Sequence, residues 1–351
     1  MDLIRALRFD QAAKSLRAAF VGAGGKTTAI FQCARQLSKP VFVTATTHLS
    51  TDQAALADQH FFLDDSISKI LEREFPTGIT LLTGPLDGNS NRTLGVSADQ
   101  MERICTLAEL RQIPLLIEAD GSRQLPLKAP ADHEPPIPDF VNWVVVVAGL
   151  SGLGKPLTSK WVHRPEIFAS LSGLPMGEIV TPEALSQVIT HPDGGLKNIP
   201  TDARHIALLN QADSTELQAQ AIEIKSSILP TYEAVVISSL IPSSTIHAVH
   251  EPVAGVILAA GESRRFGNPK QLLDWYGKPF VWHVANKAIQ AGLDPVIIVC
   301  GTEMDALQRV LTDLPVEFIF NPDWQQGQGT SVRLGTQAVD SRSGSILFLL
   351  A

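Results

Sequence analysis

Several things are scarce or missing in this sequence of 351 residues. There are three cysteines, Cys33, Cys105 and Cys300, which are far apart and odd in number. That excludes a disulfide framework and any zinc spacing, and points to buried thiols in a reducing cytoplasm. No apolar run is long enough to span a bilayer, so the expectation is a protein with no membrane partner. The N-terminus, "MDLIRALRFDQAAKSLRAAF", lacks a signal-peptide core and reads as a short amphipathic helix. Excess positive charge is also missing. The formal net charge is -8, which argues against nucleic acid as a partner while leaving room for local basic loops. There is no internal repeat and no low-complexity tract.

Hydrophobic residues make up 44% and charged residues 18% of the chain, ordinary values for a globular protein whose length favours two domains. The segments "LRAAFVG", "PVFVTAT", "GITLLTG", "PLLIEAD", "NWVVVVAG", "HIALLNQ" and "AVVISSL" read as buried strands. Helical stretches lie between several of them, at 27–37, 97–111 and 214–228. This alternation predicts an α/β fold with a mostly parallel sheet covered by helices, hence three layers. "IPSSTIHAVHEPVAG", polar and proline-punctuated, reads as a linker. The alternation then restarts with "AGVILAA", "PVIIVCG", "VEFIFN" and "SILFLLA", separated by helices near 280–291, 303–311 and 330–339. The expected domains are 1–250 and 251–351.

The first domain opens with "VGAGGKTT" between a strand and a helix. In that setting Gly22, Gly24 and Gly25 let backbone N–H groups close around phosphate oxygens. Lys26 is placed to neutralise the outer phosphates, Thr27 to bind Mg2+, and Thr28 continues the loop into the helix. The usual P-loop has glycine six positions before the lysine, where this chain has Phe20. The shorter spacing resembles the Gly-x-x-Gly-Lys-Thr loop of the Mur ligases. A plain structural turn is the competing reading.

Two carboxylates close a later strand in "LLIEADGSR". Spaced by two on an extended segment, Glu118 and Asp120 are expected to face one way, near the phosphates, and to hold magnesium directly or through water. A solvated strand end is the alternative. "NQAD", with Asn210 and Asp213, ends another strand and resembles the base-reading Asn-Lys-x-Asp of GTPases, with Gln211 in place of lysine. This leans weakly toward GTP and leaves ATP open. "TATTH", Thr44 to His48, ends the second strand, where its threonines also serve β-propensity.

In order along the chain come "GAGGKTT", "ATTH", "EADGSRQLPLKAPADHEPPIP", "GLGKPL", "VHRPE", "GGLKNIP" and "NQAD". This series resembles the YqeC-like family from about Ala18 to Ala212, and the long central motif is specific. The resemblance implies an accessory protein of selenium-dependent molybdenum hydroxylases. A hydroxylase would then be a client, and selenium enters through this resemblance alone. Lys128, His133 and Glu134 on the proline-stiffened loop, with His163 and Arg164 in "VHRPE", are polar groups placed to receive a substrate or client. For either histidine a hydrogen-bonded structural role is the competing reading.

The second domain opens differently. In "GVILAAGESRRFGNPKQLL" the small residues Ala259, Ala260 and Gly261 after Leu258 allow a nucleotide close to the backbone. Arg265 and Lys270 supply positive charge where a triphosphate would lose pyrophosphate. This stretch resembles the signature of nucleotidyltransferases that activate sugars and cofactors. It is most similar to the MocA-like molybdenum cofactor cytidylyltransferases, whose domain is Rossmann-like. Ala260, where guanylyltransferase relatives usually carry glycine, favours CTP. "NPDWQQGQGTSVRLG" matches the family's pocket segment, so Ser331 is expected near the base or ribose. Phe266 departs from the more frequent methionine. In the family the strand corresponding to "SILFLLA" runs into Asp-Gln-Pro, whose aspartate holds magnesium. This sequence stops at Ala351, so the expectation is an incomplete domain that does not turn over CTP by itself.

The resemblances together imply transfer of CMP from CTP to molybdenum-molybdopterin with release of pyrophosphate, assisted by an N-terminal domain that binds ATP or GTP. Two alternatives compete: a non-catalytic, nucleotide-switched cofactor-insertion chaperone, and a nucleotide-sugar pyrophosphorylase.

Overall fold

The computed structural model describes residues 1–12, 16–37, 39–63, 75, 77–88, 91–261 and 269–351. The chain divides into two compact units, Met1–His250 and Glu251–Ala351.

The first unit is built on one sheet. Its strands are β1 (Arg17–Gly22), β2 (Val41–Ala45), β3 (Gln59–Phe62), β4 (Ile79–Thr83), β5 (Leu115–Glu118), β6 (Trp143–Gly149), β7 (Arg204–Asn210), β8 (Ala234–Ser239) and β9 (Thr245–His250). They lie in the order β9-β8-β7-β6-β1-β5-β2-β4-β3. Every pairing is parallel except β8 with β9. β2, β4, β5, β6 and β8 are buried at every position, as apolar strands covered on both faces must be. One face packs Leu107, Phe168, Val188 and Ile224 from four helices. The other packs Leu3, Ile30 and Phe31. Local chemistry sets the helix starts. Ser97 caps Ala98–Arg111 in a capping box with Gln100, and Ser214 caps Thr215–Ile228.

Two expectations are corrected here. The proposed linker contributes β9, which pairs antiparallel from Val235↔His250 to Ser239↔Thr245. The alternation in "TIHAVH" satisfies an edge strand once a partner is present. The N-terminal segment is helical only over Leu3–Ala6, followed by a 3-10 turn at Phe9–Gln11. Helices Pro165–Ser172 and Pro182–Thr190 and edge strand β3 were not anticipated.

The second unit has a parallel four-stranded sheet. Its strands are β10 (Val253–Ala259), β11 (Val296–Cys300), β12 (Glu317–Phe320) and β13 (Ser345–Leu350), in the order β12-β11-β10-β13. Helices Phe280–Gln290, Met304–Val310 and Gln328–Ala338 connect them. Among the described residues, no helix of either unit is long and apolar enough to cross a membrane.

Candidate nucleotide-binding site

β1 lies between β5 and β6, so the turn leaving its C-terminal end is walled by two neighbouring strand ends. Gly22, Gly24 and Gly25 have φ of 93°, 85° and 125°, values that disfavour any side chain. A β-carbon on Gly22 would meet the Val147 carbonyl, and one on Gly24 would meet the Gly149 backbone. Helix Lys26–Gln36 starts directly after the turn with no side-chain cap, which leaves its first N–H groups free to receive an anion.

The two acidic residues part company. Glu118 is the last residue of β5, and its Oε2 accepts from Thr27 Oγ1 at 2.7 Å. Gln53 Nε2 also donates to that threonine at 2.9 Å. Burial pushes Glu118 above the ordinary carboxylate range, against the opposing pull of Lys26 and of the Thr27 hydroxyl. Asp120 lies beyond the strand end, so strand alternation does not fix its direction. Its Oδ2 accepts from Gly22 N at 3.1 Å and from Lys128 Nζ at 2.7 Å, and Oδ1 lies 3.2 Å from Lys26 Nζ. Both carboxylates reach the Lys26 ammonium of the loop, Glu118 Oε1 at 3.9 Å and Asp120 Oδ1 at 3.2 Å, but of the two only Glu118 lines the cleft, while Asp120 also holds the start of the loop through Gly22 N. Lys26 itself is folded inward, donating to the Gly22 carbonyl at 2.6 Å.

The long central motif meets "VHRPE" through a two-residue parallel bridge, Leu127↔Val162 and Lys128↔His163. Lys128, expected on a client-facing loop, is buried between Asp120 and Glu134, 2.8 Å from Glu134 Oε2. Arg164 grips Glu134 with both guanidinium nitrogens, at 2.6 and 3.0 Å. Burial acts to raise the Glu134 pKa, but the hydrogen bonds from Arg164 and Lys128 outweigh it and hold the group at about 2. Burial, aided by the Arg164 and Lys128 cations, brings His163 down to about 4, so it is neutral at pH 7. His133 is exposed and does not join this group.

These parts surround one cleft of about 600 Å³, within the range of ligand pockets. Gly24 to Thr28 form one wall, and Glu118, Glu134, His163 and Arg164 join it from other elements. Residue-by-residue reading missed Gln53, Arg92, Arg123 and Gln124, which also line it. For Arg123 and Gln124 a signal was present: they directly follow the acidic strand end in "EADGSRQ".

Asn210 is 3% exposed and stitches three strand ends together. Its Nδ2 donates to the Gly24 carbonyl at 2.7 Å, and its Oδ1 accepts from Ser238 Oγ at 3.2 Å and Leu240 N at 3.1 Å. Asp213 is exposed, just before the cap of helix Thr215–Ile228. Gln211, between them, reaches the cleft.

In the second unit Leu258 and Ala259 finish β10, with Ala260 and Gly261 directly after. Arg265 lies outside the described residues. Lys270 begins a one-turn 3-10 helix and is exposed. Gln271, 1% exposed, donates to the Ala259 and Gly261 carbonyls at 3.4 Å each. Ser331 is only 3% exposed, and its hydroxyl accepts from Asn321 Nδ2 at 2.9 Å. It fastens the "NPDW" loop to helix Gln328–Ala338, so the expectation that it faces a base or ribose is corrected by burial. Among the described residues no group of three or more His, Cys, Asp or Glu could hold a metal.

Residues 255–351 match the MobA-like NTP transferase domain, so the second unit is a nucleotidyltransferase domain. Over it the chain is 32% identical to nicotine blue oxidoreductase of Paenarthrobacter nicotinovorans across 99 residues, 28% of this chain and 48% of that protein. It is also 35% identical to a probable molybdenum cofactor guanylyltransferase of Bacillus cereus (strain AH820) across 63 residues, 18% of this chain and 31% of the relative. The chain thus spans less than half the length of either. Residues 18–166 match the YqeC protein family. The uncharacterized protein YqeC of Escherichia coli (strain K12) is 31% identical over 208 residues, covering 56% of this chain and 76% of that protein. With three quarters of that relative spanned, the chain belongs to the YqeC family and carries a MobA-like nucleotidyltransferase domain after its YqeC part.

Proposed function

We propose that this protein acts in maturation of the molybdenum cofactor, with a nucleoside triphosphate site in the first unit and nucleotidyl transfer in the second. The observation that carries the first part is the Thr27–Glu118 contact at 2.7 Å beside a glycine turn at the end of a central parallel strand. The two oxygens are hard donors, and Glu118 is buried with the Lys26 ammonium 3.9 Å from its other oxygen, a donor set that suits Mg2+ arriving with a nucleotide. Thr27 and Glu118 would hold that ion, which would offset charge on the phosphates. Lys26 would exchange the Gly22 carbonyl for the outer phosphates. Asp120 keeps Lys128 and Gly22 N as partners throughout, so the exchange strands no buried carboxylate.

For the second unit the reading is CMP transfer. A phosphate oxygen of molybdenum-molybdopterin attacks the α-phosphorus of CTP, the bond to the bridging oxygen breaks, and pyrophosphate leaves. Arg265 and Lys270 are the cations proposed to balance the departing charge. Support comes from the MobA-like match and the relative named as a probable molybdenum cofactor guanylyltransferase. Preference for CTP rests on Ala260. A molybdenum hydroxylase is the proposed recipient. The test is pyrophosphate release with molybdenum cofactor and either CTP or GTP. Release from CTP in clear preference to GTP is expected, and preferred use of GTP would overturn the cytidine assignment.

A further inference from the structure

The cleft of the first unit is wider in chemistry than a phosphate loop needs. Its lining holds four cations, Lys26, Arg92, Arg123 and Arg164, against two carboxylates, Glu118 and Glu134, in a chain of net charge -8. Lys26 and Glu118 belong to the loop end, and Arg164 and Glu134 neutralise each other. Arg92 and Arg123 are exposed, and among the described residues neither has a carboxylate at ion-pair distance. A guanidinium is a fork suited to phosphate, and two of them on the rim of a concave site make a local positive field.

The backbone shows the same bias. Among the described residues eight non-glycine residues have positive φ, and four of them, Arg123, Gln124, Arg164 and Gln211, line this cleft. Arg123 and Gln124, at 50° and 61°, are the two central residues of a tight turn closed by Leu125 N donating to the Ser122 carbonyl at 3.0 Å. Both central positions of such a turn favour glycine or asparagine. Holding an arginine and a glutamine there is conformationally costly, and costs of this kind concentrate where side chains must be presented to a ligand. His163, which lines the same cleft, stays neutral at pH 7 because burial and neighbouring cations, Arg123 among them, oppose its protonation.

We infer that the wall formed by Arg123, Gln124, Arg92 and His163 is a second anion subsite, which binds a phosphorylated small molecule alongside the nucleotide held by the Gly24–Thr28 turn. The inference rests on the nucleotide reading for its second ligand but not for the subsite itself. Arg123 supplies the phosphate fork, Arg92 a second charge, and His163 and Gln124 uncharged polar contacts. The first unit is then a two-substrate site rather than a nucleotide sensor alone.

The test uses the full chain and calorimetry. First the imido analogues of ATP and GTP are titrated with magnesium. Then glycerol 3-phosphate is titrated into the chain saturated with whichever analogue binds. Saturable binding of glycerol 3-phosphate is expected, weakened at least tenfold in Arg123→Ala, whereas analogue affinity in that variant falls less than threefold. Arg103→Ala, altering an exposed helix pair with Asp99, controls for general charge loss and should move neither value. If neither analogue binds, the nucleotide reading fails, and the titration is run on the bare chain, where Arg123-dependent binding still supports the subsite. No binding of glycerol 3-phosphate, or equal losses for both ligands in Arg123→Ala, would overturn it, the second result assigning Arg123 to the triphosphate.

Discussion

The two phosphate-loop candidates stand at equivalent places, each just past the C-terminal end of a parallel strand, yet their described residues differ in setting. The loop after β1 is closed in by its own protein: three positive-φ glycines press against neighbouring strand ends, and Lys26 is 3% exposed. After β10, Gly261 and Lys270 are exposed, and among the described residues a β-carbon on Gly261 would have nothing within 4 Å. One loop has its shape fixed before any ligand arrives. The other presents its described ends, Gly261 and Lys270, to solvent. Preorganised loops lose function when their packing is touched, whereas open ones lose it when their charges are touched.

Paired glycine substitutions test that difference most strongly. Gly24→Ala would drive a methyl into the Gly149 backbone at a positive φ. It should cost about 3 kcal/mol of stability through overpacking and strain. Gly261→Ala should cost less than about 0.5 kcal/mol. Urea unfolding followed by fluorescence measures both, and equal losses would dissolve the contrast.

Each unit also has a buried asparagine clamp, and these are the next comparison. Asn210→Ala removes one donor contact and leaves Ser238 Oγ and Leu240 N without their acceptor. The expected loss is about 2–3 kcal/mol, together with weaker nucleotide binding because the Gly24 carbonyl is released. Asn321→Ala removes the amide that donates to Thr330 and Ser331. It should cost about 1–2 kcal/mol and leave nucleotide binding by the first unit unchanged. A fall in that binding in Asn321→Ala would show that the units do not act separately.

Much of this was legible in the sequence because it is local. Apolar strand runs, capping serines and the glycine–lysine–threonine turn carry their own physics, so the α/β alternation and the first loop could be read directly. What could not be read depended on partners remote in the chain. "TIHAVH" became a strand because β8 offered an edge. Lys128 is buried because Asp120 and Glu134 converge on it. Asp120 and Glu118 were inseparable by spacing, since the strand ends between them. Ser331 looked available until Asn321 was seen to occupy its hydroxyl.

A smaller effect concerns acid. In the folded chain His163 resists protonation down to about 4, while in the unfolded chain an ordinary histidine takes a proton near pH 6.5. Its contribution to stability is therefore complete above about pH 6.5 and is lost as the pH falls toward 4. Glu134, held at about 2, adds a further loss from about pH 4.3 downward. Thermal midpoints of the parent should drop between pH 7 and 5, and less steeply in His163→Gln. Identical slopes would mean that His163 is not the group responsible.

The account depends most directly on whether the loop after β1 holds a nucleotide. Calorimetric titration of ATP and of GTP, each with magnesium, into the full chain and into Lys26→Ala answers this. At least one nucleotide should bind the parent, with affinity in Lys26→Ala lower by about tenfold to a hundredfold, the worth of one charge-assisted contact. Absence of binding by both nucleotides, or equal affinity in the variant, would contradict it.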